Sequence, residues 1–264
     1  YNENDPFSLN NSNIIWIKEG PNKLIWIKTS YGVFAYNIFK EKFVDISDLL
    51  AELQVDNYNL KDIVKDRSGD FWFLVGNVGI QKYASQLGSL YKLPVDDSNI
   101  TSIQIDHQGN LSIIYLNGIV EVMNPETFGL EVRFEYPEYI RQNEGLTAMI
   151  DAQGHYWFYS VLMPFGVCYY DHENKLGKNF TEKELGYQLV TSIIQDQNGQ
   201  IIIGIDHIGL LIVSKTDWSI QLYNNNPSDP KSLSHNSVIS LYQDQSGMIW
   251  IGTNKGGINY YSSK

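Results

Sequence analysis

Between Ser237 and Tyr261 short runs of β-branched and aromatic residues alternate with polar turns. The pattern predicts a strand over Ser237–Gln243, a tight turn at Asp244–Gly247 and a second strand over Met248–Thr253. A further turn at Asn254–Gly256 leads into a third strand over Gly257–Tyr261. A fourth strand of such a unit is visible earlier, at Trp218–Tyr223. No helical periodicity of useful length occurs, although Leu49–Leu53 and Thr181–Leu185 suit single helical turns on connecting loops.

The unit repeats. With an offset of 224 residues and no gaps, Asp5, Pro6, Ser8 and Leu9 fall on Asp229, Pro230, Ser232 and Leu233. The same offset lays Ile25-Trp26-Ile27 on Ile249-Trp250-Ile251, Gly32 on Gly256 and Tyr36 on Tyr260. Between these ends an Asp-x-x-Gly turn recurs at Asp66/Gly69, Asp106/Gly109, Asp151/Gly154, Asp196/Gly199 and Asp244/Gly247. Its glycines lie 40, 45, 45 and 48 residues apart, the length of a four-stranded blade. The expected architecture is therefore all-β: a β-propeller of six four-stranded repeats, at about 8–50, 51–95, 96–140, 141–185, 186–231 and 232–264. The last repeat lacks its outer strand, which suggests a piece of a larger, seven-bladed ring, with six blades closing alone as the competitor.

The turn residues have a mechanism. Asp at the first position accepts backbone N–H bonds across the turn, and Gly at the fourth supplies a positive φ. The first repeat has Gly20-Pro21-Asn22-Lys23 instead. Trp26, Trp72, Trp157 and Trp250 share one place on the second strand, where a large ring can pack against the neighbouring blade. Ser112 and Ile202 take that place in the third and fifth repeats, which should pack less bulk there.

The formal net charge of −11 and the absence of a basic run argue against a nucleic-acid partner for this segment. No apolar run approaches the ~20 residues that cross a bilayer, so no membrane contact is expected of it. Cys168, the only cysteine, reads as a small buried hydrophobe beside Tyr169 and Tyr170. His107, His155, His172, His207 and His235 lack metal-ligand spacing; solvated turn histidines are expected, and no metal or other cofactor. No catalytic residue stands out. Tyr31, Tyr159, Phe165 and Tyr187 lie near strand ends and are the aromatic candidates for ligand contact, against a packing role for each. Met163-Pro164-Phe165 replaces a polar turn in the fourth repeat, as a partner contact or a lid.

The stretch Asn236–Gly257, with its Asp-Gln-Ser-Gly turn and Ile-Trp-Ile-Gly-Thr strand, resembles the two-component regulator propeller repeat. The spacer Tyr223–Leu233 resembles that family's spacer between blades. The resemblance implies a periplasmic sensor segment of a hybrid histidine kinase and response regulator of Bacteroides-type bacteria. It further implies an oligosaccharide ligand and contact with a neighbouring propeller or a second copy. A propeller enzyme, lyase or glycoside hydrolase, is the alternative, as is a protein-interaction scaffold without a small ligand.

Overall fold

The structure is a computed structural model. It describes residues 9, 13–93, 95, 99–141, 144–186 and 189–262, the side chain of Glu182 apart. Its fold is a six-bladed β-propeller. Blade 1 consists of β1 (Ile14–Gly20), β2 (Leu24–Thr29), β3 (Gly32–Asn37) and β4 (Lys42–Val44). Blade 2 has β5 (Leu60–Lys65), β6 (Phe71–Val75), β7 (Gly79–Ala84) and β8 (Ser89–Lys92). Blade 3 has β9 (Ile100–Ile105), β10 (Leu111–Tyr115), β11 (Ile119–Met123) and β12 (Leu130–Glu135). Blade 4 follows with β13 (Leu146–Ile150), β14 (Tyr156–Ser160), β15 (Val167–Asp171) and β16 (Leu176–Phe180). Blade 5 has β17 (Val190–Gln195), β18 (Ile201–Ile205), β19 (Gly209–Val213) and β20 (Ile220–Tyr223). Blade 6 holds three strands among the described residues, β21 (Val238–Gln243), β22 (Ile249–Thr253) and β23 (Gly257–Tyr261). Within each blade the strands neighbour one another in chain order. Two short helices, α1 (Ser47–Glu52) and α2 (Glu182–Leu185), sit on connectors between blades.

The chain forms two compact units: Tyr1–Ile113 with Glu121–Val132, and Ile114–Val120 with Arg133–Lys264. In each, the hydrophobic cores lie between successive sheets. In the first unit, Trp26, Val33 and Ala35 of blade 1 pack with Leu60, Ile63 and Phe73 of blade 2. In the second, Trp157, Val167 and Phe180 of blade 4 meet Val190, Ile193 and Ile203 of blade 5. Ile202, Leu210 and Ile212 of blade 5 in turn meet Val238, Ile249 and Ile251 of blade 6. A single sheet cannot bury both its faces, so within each unit successive blades cover one another.

Burial explains the sequence pattern. β6, β10 and β18 are buried at every residue; β6 reads as a continuous apolar run, while β10 and β18 are interrupted only by Ser112 and Gly204. The outer strands β12 and β20 are mostly exposed. β22 alternates, with Ile249 and Ile251 buried against blade 5 and Trp250 on the opposite face exposed.

The five Asp-x-x-Gly turns share one geometry. In blade 2, Asp66 Oδ1 accepts from the amides of Ser68 and Asp70, both at 3.0 Å, and Gly69 N donates to Asp66 O. Gly69, Gly109, Gly154, Gly199 and Gly247 all have φ between 82° and 97°. That left-handed region costs glycine little and other residues more. The second carboxylate oxygen has a job that the sequence did not reveal. Asp66 Oδ2 accepts from Trp72 Nε1 at 2.9 Å, Asp151 Oδ2 from Trp157 Nε1 at 3.1 Å and Asp244 Oδ2 from Trp250 Nε1 at 2.8 Å. Where Trp is replaced, an asparagine amide takes that oxygen: Asn110 reaches Asp106 in blade 3, and Asn198 reaches Asp196 in blade 5. Blade 1 keeps the Trp but has a 3-10 turn over Pro21–Lys23 in place of the Asp turn, and Trp26 Nε1 is buried without a hydrogen-bond partner.

The expectation that these rings pack against a neighbouring blade holds for three of the four. Trp26 packs on Phe73, Trp72 on Phe128 and Trp157 on Trp218, each ring belonging to the following blade. Trp250 instead is 43% exposed, together with Tyr242, Ile258 and Tyr260. Register places Tyr242, Trp250 and Tyr260 side by side on the face of blade 6 turned away from blade 5.

Candidate functional site

Propeller blades present two kinds of end: the Asp-x-x-Gly turns at one, the loops between second and third strands at the other. Ligand and partner contacts concentrate on such loops because rigid strands hold them and leave their tips free to vary.

In the first unit, the loop end of blade 1 is tied to the connector entering blade 2. Lys28 is buried, and its ammonium donates to the carbonyls of Asn57 at 3.1 Å and Tyr58 at 3.0 Å. Burial pulls the Lys28 pKa below the usual lysine value, against the attraction of Asp56. The Asn57 side chain accepts from Val33 N. Gly32, at φ 124°, lies against that side chain, which leaves no room for a Cβ. This rigid junction carries two exposed tyrosines, Tyr31 and Tyr58. Tyr31 was legible as a candidate; Tyr58 sits on an irregular connector and was not. Each offers an apolar ring with a polar tip, beside fixed main-chain groups.

In the second unit, Ser160 builds the longer loop of blade 4. Its hydroxyl donates to Glu144 O and accepts from the amides of Leu162 at 3.0 Å and Met163 at 2.8 Å. Leu162 rests over Gly145, whose φ of 69° and lack of a side chain make the space. The result is an exposed apolar tip of Val161, Leu162 and Met163, two residues earlier than the hydrophobic segment expected from sequence. Phe165 and Tyr159 are half-buried, and Tyr187 lies outside the described residues. Nearby, the exposed Tyr139 places its hydroxyl 3.1 Å from the buried Cys168 Sγ. Burial pushes both the Tyr139 phenol and the Cys168 thiol above their ordinary pKa values, so the contact is between neutral groups.

The opposite end of blade 4 holds a knot of charge. Lys215, from the outer turn of blade 5, donates to Asp151 Oδ2 at 2.6 Å and Gln153 Oε1 at 2.8 Å, and lies 3.2 Å from His155 Nδ1. His155 sits between Asp151 and Asp171, at 3.4 and 3.6 Å. It is therefore not the free turn histidine expected from sequence. Burial raises the Asp151 pKa, but the hydrogen bonds from Lys215, Trp157 and the His155 amide together outweigh it and hold the carboxyl below its ordinary value. The lysine that completes this knot comes from a neighbouring blade, which gives it a role in locking blades 4 and 5 together. Among the described residues no group of three or more His, Cys, Asp or Glu is placed to hold a metal ion.

Of the repeat-signature residues, three Asp–Trp pairs meet as described, the five Asp residues hold their turns, and Trp26, Trp72 and Trp157 fill spaces between blades. They do not converge on a common site.

Comparison with known proteins adds the following. Residues 232–255 match the family described as Two component regulator propeller. No curated protein matches the sequence. Among solved structures, the extracellular domain of the hybrid two component system BT4673 from B. thetaiotaomicron superposes with a TM-score of 0.69 at 18% identity. The match covers 100% of this chain and 34% of that one. The extracellular domain of BT3049 from the same organism gives 0.61 at 18% identity, over 97% of this chain and 40% of that one. Virginiamycin B lyase from Staphylococcus aureus gives 0.60 at 12% identity, over 96% and 86%. This chain thus spans about a third of the length of the BT4673 domain, shares with these proteins the propeller fold, and carries the regulator-propeller signature in its sixth blade.

Proposed function

We propose that this chain is a propeller segment of the extracytoplasmic, periplasmic sensing region of a hybrid two-component receptor, and that it takes part in recognising an oligosaccharide. The regulator-propeller signature at 232–255 carries this reading. The likeness to extracellular domains of two hybrid two component systems supports it. So does the rigid, tyrosine-bearing junction of Tyr31 and Tyr58, since ring faces beside fixed polar groups suit the mixed apolar and hydroxylated surface of a sugar. We assign this segment no catalytic step.

The test is isothermal titration calorimetry of the chain against a panel of plant and host-glycan oligosaccharides. Saturable binding that weakens at least about tenfold in Tyr31→Ala, a loss of ~1.4 kcal/mol, supports the reading. No binding across the panel by folded protein overturns the ligand part, and product release from a panel member moves the protein to the propeller-enzyme class.

A second reading, a protein-contact scaffold, is favoured by the exposed apolar tip at Val161, Leu162 and Met163. Capture of a neighbouring propeller or a second copy through this tip, lost in Leu162→Ser, would distinguish it.

A further inference from the structure

The outer turns of blades 3 and 5 are built alike. Asn124 N donates to Gly129 O and Phe128 N to Asn124 O; Ser214 N donates to Ser219 O and Trp218 N to Ser214 O. Phe128 and Trp218 both have positive φ, 57° and 60°. Each ring packs on the tryptophan of the preceding blade, Phe128 on Trp72 and Trp218 on Trp157. Pro125 and Lys215 therefore hold the same place, one residue into the turn.

What they do there differs. Lys215 spans from its own turn to the aspartate turn of blade 4, where it meets Asp151 and Gln153. Pro125 has no such reach. The cation beside the blade 2 aspartates comes instead from Lys82 of β7, which stands where Tyr169 stands in β15. Lys82 is buried, lies 3.0 Å from Asp70 and 3.8 Å from Asp66, and donates to Pro125 O at 2.9 Å. Between the aspartate turns of blades 2 and 3 and the outer turn of blade 3, all within the first unit, lies a pocket of about 240 Å³.

The walls of this pocket are fixed. Asn124 Oδ1 accepts from the amides of Glu126 at 2.9 Å and Thr127 at 3.0 Å, and Asp66 Oδ1 holds the Ser68 amide at 3.0 Å. Arg67 crosses from the blade 2 turn to donate to His107 O, and its chain lies against Gly109. Several polar groups on the lining are uncommitted among the described residues: the Ser68 hydroxyl, Asn110 Oδ1, Asn124 Nδ2 and the Glu126 carboxylate. Together they offer donors and acceptors to one small space, and Pro125 adds an apolar wall.

We infer that this pocket is a subsite for one ring of an uncharged sugar. Pockets for drug-sized ligands run from about 300 to 1,000 Å³, so this smaller one suits a single ring. An anion would meet Asp66 and Glu126 on the lining, and the place a cation would take beside Asp66 is held by Lys82. A neutral ring carrying hydroxyls can donate to Asn110 Oδ1 and Glu126, accept from Ser68 and Asn124, and lay a C–H face on Pro125. The pocket is at the aspartate-turn end of its blades, whereas Tyr31 and Tyr58 are at the loop end. The inference therefore goes beyond the sensor reading and does not rest on it.

The test is amide NMR of the whole chain titrated with D-glucose, D-galactose, D-mannose and L-arabinose. Titration to about 100 mM covers a millimolar dissociation constant. At least one sugar should shift the amides of Ser68, Gly109 and Glu126 and the Asn124 side-chain amide, along one saturable curve. The double variant Ser68→Ala with Glu126→Ala touches no bond within the fold and should weaken that curve at least about tenfold. Pro125→Lys, which gives blade 3 the residue blade 5 has at this place, should abolish it, with the remaining spectrum reporting an intact fold. No shift at these amides with any of the four sugars overturns the inference, as does equal affinity in the double variant. Shifts confined to the neighbourhood of Tyr31 and Tyr58 overturn it too, while leaving the sensor reading standing. Shifts with glucuronate or glucosamine alone overturn the choice of a neutral ring.

Discussion

The indole of Trp72 and the carboxylate of Asp66 form one unit: Oδ2 takes the ring N–H at 2.9 Å while Oδ1 holds two turn amides. Both residues are buried. Asp66→Ala therefore orphans a buried donor and releases the turn, a loss of about 1–3 kcal/mol for the unpaired group alone. Asp106→Ala, whose Oδ2 holds the Asn110 amide and no indole, should cost less. Equilibrium urea denaturation of the two variants measures the difference, and equal losses would separate the turn from the ring.

Trp157 and Trp250 occupy the same place in the repeat and differ in cover. Trp157 is fully buried, so Trp157→Ala should cost ~3–5 kcal/mol. Trp250, 43% exposed, should cost less than about 2 kcal/mol by the area it hides. Iodide quenching of Trp250→Phe against wild type checks the same point optically, since the variant should lose the readily quenched fraction.

Gly20 lies against the Trp26 indole so closely that a Cβ there would overlap Cδ1 and Nε1. Its φ of −119° is ordinary, so the effect of Gly20→Ala is steric rather than conformational. Overpacking of this kind costs about 1–3 kcal/mol. Thermal denaturation should show the loss, and the double variant Gly20→Ala with Trp26→Phe should recover part of it.

Asp151 predicts a pH dependence. Its folded pKa lies below the ordinary value, so the native state binds fewer protons there than the unfolded chain. The resulting stability is present above the unfolded carboxylate pKa of about 3.9 and is lost as pH falls through the lower folded value. Lys215→Met removes a hydrogen-bond donor and a positive charge from this carboxylate. It should lower stability at pH 7 and flatten the decline between about pH 4 and 2. Denaturation midpoints across that range decide it.

Much of the blade architecture was legible because it is local. Asp66 to Gly69, the strand Phe71–Val75 and the return at Gly79 form a meander within one stretch of chain, and turn chemistry marks its corners. The link between Trp72 and Asp66 was also within reach, since both recur at a fixed separation; three of the four tryptophans have an Asp six residues earlier. The exposure of Trp250 was not legible, because it depends on what lies beyond its own blade. Neither was the His155 knot, whose lysine arrives from 60 residues away. Tyr58 escaped notice because its connector has no repeat to mark it.

The unpartnered indole of Trp26 bears on how such repeats diverge. Trp and Asp serve each other, so neither can be exchanged alone without leaving a polar atom stranded indoors. Blades 3 and 5 have settled the matter by changing the ring and supplying an asparagine to the acid. Blade 1 stands at the halfway point, with the acid gone and the ring retained. Blade 1 is where a single acceptor placed within reach of Nε1 would satisfy the stranded donor.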